Sequence, residues 1–218
     1  MIDPDIEKRV IVAPVSSTIT EVELREFIDE IRPYKFRSVI VDEYYLDLAL
    51  QLLRGSGKRV GIVFSYPHGG MTTETKVRLT EIAVNKGSDI IVPLNMNAIK
   101  SGDYKAAMDD LKSIISTVHG KVDVIALPQV AILTLVEIAK VCDMILEAGT
   151  NIVKTNTGLG LGETLLEHVE FIKRRYKDDL IIEISGGIRN LEQAREFVKA
   201  GADRIHTSSW KQVIGLED

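Results

Sequence analysis

Eight short runs of β-branched and aliphatic residues recur along the chain at 9–15, 37–42, 59–66, 88–95, 122–128, 151–156, 180–185 and 204–208. They are near-continuous in apolar character, the pattern of parallel strands covered on both faces. The stretches between most of them carry the three- and four-residue spacing of amphipathic helices. Residues 20–31 carry apolar residues at Val22, Leu24, Phe27, Ile28 and Ile31. Further helices are read at 73–87, 103–120, 133–149, 163–177 and 190–201. Their ends agree: Gly87, Gly120, Gly149 and Gly201 fall where a left-handed terminal residue is wanted. Basic residues close 163–177, where the helix dipole favours cations. Asn190 followed by Gln193 reads as a capping box.

Alternating strands and helices admit two architectures, an open doubly wound sheet and a closed barrel. No G-x-G-x-x-G follows the first run and no G-x-x-x-x-G-K-[ST] occurs, which weakens the nucleotide-binding open sheet. A count of eight with no break in rhythm favours an α/β fold of the (β/α)8 TIM barrel type. With 218 residues, the chain is read as a single domain spanning 1–218, a lean barrel against the usual roughly 250 residues.

The formal net charge is −5 and no dense Lys/Arg run is present, so nucleic acid is not an expected partner. Nor is a membrane, since no apolar run approaches the roughly 20 residues of a span. The opening residues are acidic and polar, unlike a signal peptide. The lone cysteine, Cys142, lies in a helical pattern and reads as a small core residue; a cytoplasmic location is expected.

Barrel chemistry gathers at the C-terminal strand ends. Run seven ends in Ser185-Gly186-Gly187-Ile188-Arg189 and run eight in His206-Thr207-Ser208-Ser209. Each offers small residues and backbone N–H groups before a helix, and these two loops are where barrels commonly hold phosphate. Lys154 stands in the apolar run Asn151-Ile152-Val153-Lys154-Thr155-Asn156, on the same side as Ile152. It is either a structural lysine paired with a carboxylate or an amine whose pKa is lowered by a dry surround, a nucleophile toward carbonyls.

Five segments resemble the deoxyribose-phosphate aldolase family: S-Y-P-H-G-G-M-T-T-E-T-K (65–76), N-M-N-A-I-K-S-G-D-Y (95–104), I-V-K-T-N-T-G (152–158), I-S-G-G-I-R (184–189) and G-A-D-R-I-H-T-S-S (201–209). The likeness runs from about residue 20 to residue 210 in one element order. It implies a class I aldolase, a lyase of carbohydrate metabolism acting on a small phosphorylated sugar or aldehyde. Lys154 would form the Schiff base, while Gly158, Gly186, Gly187, Ser208 and Ser209 would hold the phosphate. No metal or other cofactor would be required, since the iminium is the electron sink. Barrels of this kind often pair, which leaves a homo-oligomer open.

The sequence departs from the family at four places. Ile91 stands where the family has an aspartate, Glu183 where it has a second lysine, and Leu127 where many members have a glutamate. Val12-Ala13-Pro14-Val15 replaces an early D-H-T-x-L motif. A carboxylate beside Lys154 is expected to hold it protonated, where an ammonium would have done the reverse. Glu183 then becomes a catalytic candidate for general acid and base, with Tyr66, Asn95 and Asn97 as substrate or water contacts and His68 and His206 as weaker ones. Cleavage of deoxyribose 5-phosphate is expected to be weak or absent. The alternatives are a phosphosugar-binding barrel impaired in catalysis and a related Schiff-base lyase or transferase with another substrate.

Overall fold

The computed structural model describes residues 1–216. Eight parallel strands close into a barrel in sequential order: β1 (Val10–Val12), β2 (Ser38–Val41), β3 (Arg59–Val63), β4 (Asp89–Pro93), β5 (Val124–Leu127), β6 (Ile152–Lys154), β7 (Ile181–Ser185) and β8 (Arg204–His206). Every strand lies within the run expected for it. Six helices match the expected ones: α2 (Glu21–Ile31), α4 (Thr73–Lys86), α6 (Tyr104–Val118), α7 (Leu135–Ala148), α8 (Leu166–Tyr176) and α9 (Leu191–Ala200). Periodicity did not mark α1 (Pro4–Glu7), α3 (Leu46–Leu52) or α5 (Met96–Lys100); α10 (Trp210–Ile214) follows the last strand. Gly87, Gly149 and Gly201 end their helices in the left-handed conformation. Asn190 caps α9, but the Gln193 side chain returns to the N–H of Arg189, one residue short of a capping box. Among the described residues no helix is long and apolar enough to cross a membrane. Cys142 is buried in α7, and burial pushes its thiol up to about 12.

The two-residue period divides each strand between an outer and an inner layer. Val10, Val12, Val39, Val41, Ile90, Val92, Val153, Ile182, Ile184 and Ile205 face the helices and belong to the main core. The inner layer has two unlike halves. From β1 to the start of β6 it is hydrocarbon: Ile11, Ile40, Ile91, Ile125, Leu127 and Ile152 form one cluster. Gly61 makes room there, because a Cβ on it would stand 2.7 Å from Ile40 Cδ1. From the end of β6 to β8 the inward positions carry Lys154, Glu183, Arg204 and His206, with Ile181 packed against the hydrocarbon cluster and Ser185 lining the mouth. Strand register sets Lys154 opposite Glu183 and Glu183 opposite Arg204.

Charge also closes the N-terminal end of the barrel. Asp89 accepts from Arg59 Nε at 2.5 Å and from the Asp123 N–H at 2.9 Å. Arg204 donates to Asp123 at 3.2 Å, and Arg37 lies 3.5 Å from the same carboxylate. Asp89 is therefore a floor residue and not a stand-in for the mouth aspartate missing at Ile91.

Candidate active site

The mouth of the barrel holds a cavity of about 730 Å³. One wall is apolar, made by Ala13, Ile40, Val63 and Ile91; the opposite wall carries Lys154 and His206. The rim between them is Gly158, Gly186, Gly187, Arg189, Ser208 and Ser209.

Lys154 is 2% exposed and donates to Glu183 Oε1 at 3.2 Å. The same oxygen lies 3.4 Å from His206 Nδ1, and Arg204 Nη1 stands 3.9 Å from Glu183 Oε2. Two opposing influences act on the amine. Burial disfavours its charge and Glu183 favours it; burial is the larger, and Lys154 is pushed down to about 8. Glu183 favours the charged amine, as expected, but burial works against it, and a sequence shows the neighbour without showing the dryness. At pH 7 about a tenth of a group with such a pKa is neutral. Burial alone would push the Glu183 carboxyl up, but Lys154, His206 and Arg204 outweigh it and hold the carboxyl down at about 2. His206 is pushed down to about 4, by burial first and the Lys154 charge second.

These shifts fix an acid dependence. The His206 ring titrates at about 4 in the fold against an ordinary 6.5, so the unfolded chain binds more protons between those values. Stability therefore falls on acidification through that window. Glu183, at about 2 against 4.5, stabilises fully above 4.5 and loses that contribution as pH falls toward 2. Urea midpoints across pH should fall below pH 6.5, by up to about 3 kcal/mol from His206 between pH 6.5 and 4. His206→Gln should flatten that upper window alone. A wild-type midpoint unchanged from pH 7 to 4.5 would contradict the burial of a neutral imidazole.

The rim has the features of an anion cup. Gly158, Gly186 and Gly187 all take positive φ, at 81°, 92° and 92°. Among the described residues no protein acceptor meets the N–H groups of Gly187, Ile188 or Ser208. Thr207 ties the two loops together, donating to Ile188 O at 2.9 Å and accepting from the Ser209 N–H at 3.0 Å. The loop after β6 is held by a buried web: Thr164 donates to Ser185 O at 2.7 Å, and Asn156 donates to Thr164 Oγ1 at 2.8 Å. Glu163 folds over Gly187 and pairs with Arg189.

Other expected contacts stand elsewhere. Tyr66 lines the cavity, its hydroxyl donating to the Thr157 carbonyl. Asn95 does not line it: its side chain caps α5, accepting from the Ala98 N–H at 3.1 Å. Asn97 is exposed on α5, and His68 is exposed in the loop after β3. Glu183, at 1% exposure, lies behind Lys154 and His206 and is no part of the cavity wall. His206, expected only as a weaker contact, forms part of that wall. The signal for it was present: it alternates with Ile205 and so shares the inward side of β8 with Arg204.

No family model matches the chain. Among curated proteins it is 32% identical to the deoxyribose-phosphate aldolase of Thermoanaerobacter sp. over 89% of each chain. It is 33% identical to that of Carboxydothermus hydrogenoformans, over 92% of this chain and 90% of the relative. Among solved structures it resembles QR15, an aldolase, with a TM-score of 0.90 and 31% identity over 96% of this chain and 94% of that one. The deoxyribose phosphate aldolase from Aeropyrum pernix shares the fold, with a TM-score of 0.88 at 24% identity over 97% and 91% of the chains.

Proposed function

The chain belongs to the deoxyribose-phosphate aldolase family, and on that footing we propose how its own residues carry out the reaction of a class I aldolase. The protein is a lyase that makes or breaks a carbon–carbon bond in a small phosphorylated aldehyde or ketose through a Schiff base. Lys154 is the nucleophile. The observation that carries this is a buried amine, pushed down to about 8 and alone of its kind among the described residues on the cavity wall, beside the glycine and serine rim.

Neutral Lys154 Nζ attacks the carbonyl carbon; the carbon–nitrogen bond forms as the π pair moves to oxygen. Proton transfers carry that oxygen off as water and leave an iminium. In cleavage, the β-hydroxyl of the bound sugar releases its proton and the Cα–Cβ pair flows into the iminium. A second carbonyl compound departs and an enamine remains. Protonation at Cα and addition of water then free the amine. Gly158, Gly186, Gly187, Ser208 and Ser209 hold the phosphate, and Tyr66 shapes the wall. A reducing, cytoplasmic setting suits the unpaired Cys142.

Borohydride reduction in the presence of deoxyribose 5-phosphate, glyceraldehyde 3-phosphate or acetaldehyde tests the nucleophile. A mass increment on the Lys154 peptide is expected with at least one of them. No increment with any would favour a phosphosugar-binding barrel without catalysis. The cup has its own test. In Gly187→Asp the new Cβ stands 2.8 Å from the Glu163 carboxyl, on a backbone at φ 92°, and brings a second negative charge. Affinity for glyceraldehyde 3-phosphate in titration calorimetry should fall by about 100-fold or more, the worth of two charge-assisted hydrogen bonds. Unchanged affinity would move the phosphate elsewhere.

A further inference from the structure

The aspartate and second lysine on which the family pattern relies are absent, yet Cα of the Lys154 adduct must still lose a proton as the iminium and gain one as the enamine. Around Lys154 the cavity wall offers few groups able to do this. Ala13, Ile40, Val63 and Ile91 hold no exchangeable proton, hydroxyls such as those of Ser185 and Thr157 are far weaker bases than an imidazole, and Glu183 is not among the lining residues. Tyr66 spends its hydroxyl proton on the Thr157 carbonyl. Arg189 is at the rim, paired with Glu163. His206 is on the same wall as Lys154, and both lean on Glu183 Oε1, at 3.4 and 3.2 Å.

We infer that His206 is the proton-transfer residue of this aldolase, working at the α-carbon of the Lys154 adduct while Glu183 positions its ring. The inference rests on the Schiff-base reading above. An ionised carboxylate only accepts, so the proton between Glu183 and His206 belongs to Nδ1. Nε2 then carries the lone pair, and among the described residues no protein donor meets it. The charged and titratable groups around the ring are Lys154 from β6, Glu183 from β7 and Arg204 on its own strand; on the other side β1 presents Ile11, with Ala13 just beyond its end.

The step balances. His206 Nε2 takes a proton from Cα of the iminium. The C–H pair becomes the C=C bond, the C=N π pair settles on nitrogen, and the products are a neutral enamine and an imidazolium. Positive charge thereby moves from the Lys154 nitrogen to the His206 ring, and both ends of that transfer adjoin one carboxylate oxygen. Glu183 therefore neutralises the cation before and after without moving, which is electrostatic preorganisation. Neutral His206 is ready to accept, since burial holds it low before the iminium forms.

Acetaldehyde in deuterated water separates this from the reading beneath it. Wild type should form the borohydride-trapped adduct at Lys154 and exchange the methyl protons of acetaldehyde, followed by NMR. His206→Gln should keep the adduct and lose exchange by about 10²–10⁴-fold, the usual worth of general acid–base help. His206→Gly, which opens a hole of imidazole size, should regain exchange on addition of imidazole. Glu183→Gln should move the two readouts in opposite directions. Trapping at neutral pH rises by up to about tenfold, as Lys154 loses the anion that favours its charge. Exchange falls by at least about tenfold, as the imidazolium loses its counterion. Adduct and exchange both retained in His206→Gln would overturn the proposal, as would imidazole failing to act on His206→Gly while its adduct persists. No adduct in wild type would instead remove the Schiff base itself.

Discussion

Lys154→Met is expected to lower aldol turnover by at least about 10⁴-fold and to eliminate borohydride trapping, because among the described residues no other buried amine stands on the cavity wall. Methionine nearly matches the lysine stem in volume, so the apolar packing beside Ile152 survives. The electrostatic setting does not. Glu183 keeps Arg204 at 3.9 Å and a His206 ring that is neutral at pH 7, but loses its nearest cation. Its carboxyl should rise from about 2, and the acid limb of the stability curve should move to higher pH. Turnover persisting within tenfold of wild type would show that the reaction does not pass through Lys154.

Glu183→Lys would install the second lysine of the family pattern, and it is expected to destabilise the barrel by about 3–5 kcal/mol rather than to activate it. The inward positions of β6 to β8 would then hold Lys154, Arg204, a new ammonium and His206, with no carboxylate among them. Arg204 still has Asp123 at 3.2 Å, but that contact belongs to the floor and cannot neutralise the mouth. Adding Arg204→Met should recover a measurable part of the loss, since the two positions are register partners and their effects will not add. Urea midpoints for the single and double variants provide the measurement. A single variant as stable as wild type would mean that water or relaxation reaches this interior and that its charges are not coupled. Adding Ile91→Asp does not lift the objection, because Ile91 is 2% exposed in the hydrocarbon half and an acid there would be driven toward its neutral form. The replacements at 91 and 183 belong with Arg204 and His206 as one arrangement.

Much of this was legible in the amino-acid order. Strand number, helix ends and the glycine and serine rim follow from periodicity and from the conformations that only glycine adopts cheaply. So did the pairing of Lys154 with Glu183, since adjacent strands carry them at matching depth. What escaped did so for identifiable reasons. The helix α3 spans seven residues behind a 3-10 turn, too short to show a period. Asn95 has the chemistry of a substrate contact, but a helix N-terminus claims its side chain first. His206 was expected only as a weaker contact, although the alternation along β8 already places it indoors. The state of Lys154 depends on how dry the barrel is, which is a property of the whole closed sheet.

The unequal halves of the barrel interior have a stereochemical consequence. An enamine on Lys154 is flat and has two faces. One side of the cavity is hydrocarbon from Ala13, Ile40, Val63 and Ile91, which can neither deliver nor receive a proton. Where the attached carbon bears two different substituents, hydrogen arriving from the imidazole side alone creates a single configuration. Handedness at that carbon would then be written by which strands carry hydrocarbon and which carry charge.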